Sequence, residues 1–298
     1  MDSFFYVVLF LIGISLGSFL NVITRRYHPE ENSNIYTYIQ GRSHCEGCGR
    51  TLVWYELIPV VSFLLQRGKC RTCQNKLSLQ YPLAELLGGV MSVAIGYFFS
   101  VYALAWGVDV SVVWGAILIW ICVWFLSGAV LLIDLRWKVI PNSINAFLFI
   151  LGVIWTGYIH FFDVFPLSSG DSFVGKYAGM FPVIEGAIFN HGVAALGAAL
   201  FFLIVVLVTR GRGMGVGDVK LAGALGMLFG WPDVGLIILF SFIIGMIGVL
   251  PLLFFKKKGL SDAIPFGPSL ILAAGVIFFF GTVFLEQYFD ILYTLLGV

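Results

Sequence analysis

VVWGAILIWICVWFLSGAVLLID, residues 112–134, runs from Val112 to Ile133 without a charged side chain and then meets Asp134. A helix of that length, apolar on every face, does not belong to the half-exposed surface of a soluble domain. It matches the ~20 residues that carry a helix across a ~30 Å hydrocarbon layer. Similar runs flank it at about 4–24, 83–105, 141–160, 182–209, 219–231, 234–255 and 264–285. All approach membrane length except 219–231, which is short and glycine-rich and is expected to be tilted or tied to its neighbour by a tight turn at Trp231 and Pro232. Unpaired backbone is intolerable in lipid, and these runs are continuous rather than alternating, so helices are expected and a barrel is not. Composition agrees: 60% of the chain is hydrophobic, 29 residues are Phe and only 11% are charged, too little polar surface for a soluble protein of this size.

The charges supply an orientation. Of 17 Lys and Arg, 16 fall in alternate connections. They are Arg25 to Lys76, then Arg136 and Lys138, then Arg210, Arg212 and Lys220, then Lys256, Lys257 and Lys258. The other connections hold Lys176 with Asp109, Asp163, Asp171, Glu185, Asp233, Glu286 and Asp290. Lys/Arg excess marks the cytoplasmic side, so eight crossings place both termini outside and the polar stretch after the first helix inside. Residues 1–20 have no basic residue ahead of the apolar run and no small-x-small cleavage pattern after it, so they read as a retained first helix. A net charge of +1 and the lack of a cationic arm argue against nucleic acid as a partner. The expected organisation is a first transmembrane helix (1–24), a cytoplasmic four-cysteine segment (25–82) and a transmembrane bundle (83–298).

Within the polar stretch, Cys45-Glu-Gly-Cys48 and Cys70-Arg-Thr-Cys73 are two Cys-x-x-Cys turns. Each directs two thiolates to one point, and two such turns make the four-sulfur tetrahedron that Zn²⁺ prefers. Arg50, Lys69 and Arg71 offset its negative charge. Two disulfides or a redox pair are the rival reading, disfavoured in the cytoplasm. Four thiolates leave a metal no open position, so the zinc is expected to be structural. His44 is a spare ligand, and Cys122, within an apolar run, is core. Between the pairs, a short amphipathic helix after Pro59, ending at Gly68, is expected to lie on the membrane surface, making a cap on the cytoplasmic side.

Asp134 precedes Leu135 and Arg136, while Asp218 follows Gly213-Met-Gly215-Val-Gly217 at the start of a helix. The topology brings both to one cytoplasmic depth, and ionisable groups at membrane depth are functional by default. Two carboxylates sharing a site do not both ionise: one holds a proton and the other activates water, as in aspartic-protease hydrolysis. Gly213, Gly215 and Gly217 are expected to allow an unusual turn and close approach of an extended peptide. Alternatives remain: Asp134 beside Arg136 as an interfacial ion pair or helix cap, Asp218 as the ion-binding carboxylate of an ion-coupled transporter, or a non-catalytic scaffold. The spacing Gly-x-Gly-x-Gly-Asp is not a dinucleotide fingerprint.

The ordered set Gly17-Ser-Phe-Leu-Asn21, Cys45-x-x-Cys48, Ile58-Pro59, Gly68-Lys-Cys70-x-x-Cys73, Tyr81-Pro82-x-x-Glu85, Ile133-Asp134, Ile140-Pro141 and Gly215-x-Gly217-Asp218-x-Lys220 resembles the type 4 prepilin peptidases over nearly the whole chain. The resemblance implies a multi-pass enzyme of the bacterial inner membrane whose active site faces the cytoplasm. It implies an aspartic endopeptidase whose two aspartates fall on Asp134 and Asp218. Its substrates are type IV prepilins and type II secretion pseudopilins, cut after a glycine in a basic leader. Many members then methylate the new amino terminus with S-adenosylmethionine, and Gly68 stands where the family has a methylation-linked glycine. Glu85, ahead of Glu46 and Glu56, is the favoured holder of the basic leader; Gly215, Gly217 and Lys220 are expected to position substrate. The family's usual aspartate after Ile140-Pro141 is here Asn142. The segment 161–181 is read as an expanded outer loop without a catalytic role.

Overall fold

The helices follow the apolar runs, with one short helix between the cysteine pairs. A computed structural model describes residues 3–29, 41–162, 172–182, 184–211, 213–254 and 265–296. The α-helices are α1 (Ser3–Arg26), α2 (Val61–Leu65), α3 (Gln80–Trp106), α4 (Val110–Trp137), α5 (Asn142–Phe162), α6 (Ala187–Val208), α7 (Val216–Phe229), α8 (Asp233–Phe254) and α9 (Gly267–Leu296). Lys256 to Lys258, Arg212, Asp163 and Asp171, used above for orientation, lie outside the described residues, as does 163–171 of the outer loop. Among the described residues, seven helices are long and apolar enough to cross a membrane: α1, α3, α4, α5, α6, α8 and α9. The sixth run, 219–231, is the exception. Its helix, α7, has 14 residues and so spans only about 21 Å. The last run extends well past its expected end, carrying Glu286 and Asp290 inside α9.

The chain divides into two compact units, Met1–Ala129 and Val130–Val298. In the first, α1 presents one narrow face: Phe5, Leu9, Gly13, Gly17 and Asn21 recur every four residues and are buried. That face meets α3 almost backbone to backbone. A methyl group on Gly17 would stand 2.5 Å from the Ala84 carbonyl oxygen, and one on Gly88 2.5 Å from that of Gly13. Small residues give helix pairs this approach where lipid supplies no hydrophobic drive of its own. The polar members of the same motif complete the clamp. The Asn21 amide donates to the Tyr81 carbonyl at 3.2 Å, and Ser18 donates to the Glu85 carboxylate.

In the second unit α7 is the central helix, with Leu221, Ala222, Ala224, Leu225, Leu228 and Phe229 buried. It runs in the direction of α5: Asn145 reaches the Gly217 carbonyl at one end and Thr156 the Met227 carbonyl at 3.2 Å toward the other. Against α6 it is antiparallel, Gly223 lying near Ala199 and Gly226 near Ala194. Enclosure by protein explains why α7 need not reach membrane length, since short helices and turns are tolerated there only where neighbours satisfy their backbone. The turn after it is held in this way. The Asn190 amide donates to the Trp231 carbonyl at 2.9 Å, the Trp231 N–H donates to Asn190 at 2.6 Å, and the His191 Nδ1 lies 2.9 Å from the Met227 carbonyl oxygen.

The described part of the outer loop packs as a plug beyond α7. Phe173 sits among Trp155, Phe229 and Phe278. Its backbone N–H and the Ser172 hydroxyl donate to Asp233 at 2.8 and 2.6 Å. Asp233, counted above with the outer acids, is fully buried. On α9, Gly267 beside Asp134 and Phe278 beside Phe173 are about 17 Å apart along the helix.

Candidate active site and metal centre

The four cysteine sulfurs gather without help from any other ligand. Cys45, Cys48, Cys70 and Cys73 place their Sγ atoms within 4.8 Å of one another. The two turns repeat one geometry. The Cys45 N–H bonds the Arg50 carbonyl at 2.9 Å and the Cys70 N–H bonds the Asn75 carbonyl at 2.9 Å. Gly49 and Gln74, each following the second cysteine of its pair, both take the left-handed conformation. Tetrahedral Zn–S bonds of ~2.3 Å put sulfurs about 3.8 Å apart, and Cys45 and Cys73 stand at 3.7 Å. The residues fit a tetrathiolate metal. The backbone N–H groups of Cys73 and Thr72 hold the Cys70 thiol down to about 6. Although the Asn75 N–H favours its thiolate, burial and the neighbouring sulfurs push Cys73 up to about 11. Four thiolates therefore need a cation among them. His44 is exposed and lies outside this cluster.

Gly68 adopts φ +66°, and its would-be Cβ lies 3.1 Å from the Phe63 ring. Its Leu77 N–H contact at 2.8 Å joins the two ends of the second cysteine turn. That conformation accounts for a glycine at this position. Glu85, read above as a holder of substrate, is buried, and its Oε2 accepts the Val60 N–H at 2.7 Å. It fixes the turn after Pro59, where Val60 carries φ +62°. Glu56 is likewise engaged, by Arg50 at 2.7 Å and the Val53 N–H at 3.1 Å. Glu46 is exposed and pairs with Arg25. The expected amphipathic helix after Pro59 is only Val61–Leu65.

Asp134 and Asp218 come together at one end of the second unit. Asp134 stands in the last turn of α4, which closes through the Lys138 N–H on the Asp134 carbonyl at 2.8 Å. It is therefore part of the helix and buried, not an interfacial ion pair with Arg136. Asp218 occupies the first turn of α7, and its Oδ2 accepts the Gly215 N–H at 3.0 Å. The two carboxyls interact electrostatically. Asp134 Oδ2 and Asp218 Oδ1 are buried without a hydrogen-bond partner. Each carboxyl therefore keeps one buried oxygen free of protein hydrogen bonds, as Asn21 Oδ1 and Asn145 Oδ1 also do; what sets these two apart is that they belong to interacting acids.

The glycines before Asp218 act differently from expectation. None of Gly213, Gly215 and Gly217 has a positive φ. Gly215 is extended and has no neighbour within 3.8 Å of a would-be Cβ, whereas Gly217 packs against Ile140 at 3.2 Å. Lys220 donates to Asn142 Oδ1 at 2.8 Å. A third wall was missed in the sequence. Gly267 opens α9 with its backbone N–H directed at the Asp134 carboxyl. A Cβ there would lie 2.6 Å from Asp134 Oδ2 and 3.2 Å from Ile140 Cδ1. The signal was available as Pro265-Phe-Gly267-Pro268, a glycine between prolines at a helix start.

Two family models cover most of the chain. Residues 11–99 match the bacterial peptidase A24 N-terminal domain. Residues 118–250, which include both aspartates, match the type IV leader peptidase family. A prepilin leader peptidase/N-methyltransferase of Xanthomonas campestris pv. campestris is 30% identical across 93% of this chain and 92% of its own. The chain belongs to the type IV prepilin leader peptidase family. Relatives with the same description from Aeromonas hydrophila and Legionella pneumophila are each 28% identical, over 93% and 96% of this chain and 91% and 94% of theirs. No solved structure matches it. Membership supports a peptidase, and nothing in these likenesses supports a transporter. Gly267 lies beyond both matched stretches.

Proposed function

We propose that Asp134 and Asp218 hydrolyse the leader peptide bond of type IV prepilins or type II secretion pseudopilins, cutting after a glycine in the basic leader. The observation that carries this is the pair of unpartnered, buried oxygens, Asp134 Oδ2 and Asp218 Oδ1, on interacting carboxyls. One carboxylate takes a proton from water as its oxygen attacks the scissile carbonyl carbon. The other carboxyl protonates the carbonyl oxygen, and collapse returns a proton to the leaving amine. Gly215 pins the far oxygen of Asp218, and Gly267 confines Asp134 from the opposite side. Gly217, packed on Ile140, and Lys220, bound to Asn142, set the register of α7 beside the substrate. Glu85 acts through the cap turn it fixes.

The catalytic end is assigned to the cytoplasmic face of the bacterial inner membrane, supported by the Lys/Arg distribution among the connections. Zinc held by Cys45, Cys48, Cys70 and Cys73 supplies a structural cross-link and no open coordination position. N-methylation of the new terminus with S-adenosylmethionine follows cleavage; the relatives' shared description supports it, and Gly68 shapes the cysteine segment linked to that step. Mass spectrometry of a synthetic prepilin incubated with purified enzyme tests the reading. Cleavage after the leader glycine is expected, with one methyl group added when S-adenosylmethionine is supplied. Cleavage elsewhere, or none, contradicts the peptidase assignment, and cleavage without methyl transfer restricts the protein to a protease.

A further inference from the structure

The segment between the two cysteine turns exposes a run of large apolar side chains: Trp54 (77% exposed), Leu57, Ile58, Val61, Leu64 (67%) and Leu65 (70%). Scattered apolar residues at a surface need no explanation, but a contiguous set does. Its electrostatic setting is one-sided. Between Cys48 and Glu85 the only acidic residue is Glu56, which is buried against Arg50. Arg67, Lys69, Arg71 and Lys76 are all exposed. The Arg71 guanidinium lies 5.0 Å from the centre of the Tyr55 ring, which ties the basic set to the apolar one. Even the double negative charge of a zinc tetrathiolate leaves this surface cationic.

Its depth is fixed as well. The Val60 N–H to Glu85 bond of 2.7 Å holds the segment beside the second turn of α3. That point is about 7 Å inside the start of a membrane-length helix. Leu79, just before α3, and Leu83, in its first turn, are exposed on the same unit. We propose that the Trp54–Leu65 edge is seated in the headgroup–acyl boundary of the bilayer, with Arg67, Lys69, Arg71 and Lys76 bound to anionic phospholipid headgroups. Interfacial segments settle about 5–10 Å into that boundary, with aromatic anchors at headgroup level. A basic leader peptide or a second copy of this surface would meet like charge; an anionic lipid surface meets the opposite one.

The test uses the full protein in nanodiscs whose lipids carry bromine near the headgroup end of the acyl chain. The Trp54 emission is obtained as the difference between wild type and Trp54→Phe, with zinc content checked as a measure of intact folding. Quenching of that component is expected without any substrate present. Arg67→Gln and Lys76→Gln are each expected to lower the preference for phosphatidylglycerol over phosphatidylcholine by about fivefold. Unquenched, water-like Trp54 emission overturns the proposal. So does protection that arises only on adding a prepilin peptide, or only when two copies share a disc. Quenching with an unchanged lipid preference in both charge variants overturns the headgroup assignment.

Discussion

Replacing Gly267 with alanine asks whether the start of α9 is part of the catalytic site. The new Cβ would lie 2.6 Å from Asp134 Oδ2, and an ordinary contact needs at least 3.4 Å, so the carboxyl or the helix start must give by about 0.8 Å. Ile140 Cδ1 at 3.2 Å narrows the directions available. Gly267 does not have a positive φ, so alanine brings no backbone strain and the effect is one of space. A reacting group displaced by about 1 Å loses on the order of 10²-fold in rate, or about 2.7 kcal/mol of transition-state stabilisation. The folding cost of such overpacking is about 1–3 kcal/mol. In a synthetic prepilin assay, kcat for Gly267→Ala should fall about a hundredfold while KM changes little. Gly215→Ala is the control, because its Cβ meets nothing nearer than Asp218 Oδ2 at 3.8 Å. Its effect should appear in KM, where the peptide passes the glycine loop, and not in kcat. Near-normal kcat for Gly267→Ala in folded protein would refute the argument that α9 walls the dyad.

Other expectations follow from single contacts. Asn142→Asp converts the 2.8 Å hydrogen bond with Lys220 into an exposed ion pair; a change of at most about 1 kcal/mol in stability, read as melting temperature, and retained cleavage are expected. If the four sulfurs hold zinc as proposed, Cys70→Ser should abolish its binding and loosen the cysteine segment before cleavage is lost, because metal binding is folding energy; zinc stoichiometry and limited proteolysis should change together. Asp233→Ala leaves the Ser172 hydroxyl and the Phe173 N–H without their acceptor. It should lower stability by about 2–5 kcal/mol in thermal unfolding while cleavage survives at permissive temperature.

Much of this was legible in the sequence because it rests on local pattern. Continuous apolar runs gave the helices, and the paired Cys-x-x-Cys turns gave the sulfur cluster, since each turn carries its own geometry. Asp134 and Asp218 were legible as a pair because alternating crossings bring their helix ends to one level. What stayed hidden depends on packing between distant segments. The short α7 is acceptable because α5 and α6 enclose it, which no property of 216–229 alone reveals. Glu85 read as a free acid because the amide that occupies it, Val60, is 25 residues away. The glycines before Asp218 suggested an unusual turn, yet Gly217 is small to admit Ile140 and Gly215 serves through its N–H. Gly267 was missed because its role exists only once α9 meets α4. The same is true of Asp233, an outer acid by position and the acceptor of a buried plug in the fold.

The central claim is most directly tested by single-turnover cleavage of a synthetic prepilin in detergent, comparing wild type with Asp134→Asn and Asp218→Asn. Asparagine keeps the shape of each side chain but cannot exchange the proton. Each single variant is therefore expected to lose cleavage while retaining its zinc and its fold. Substantial cleavage by either variant would remove that aspartate from the catalytic pair and contradict the account.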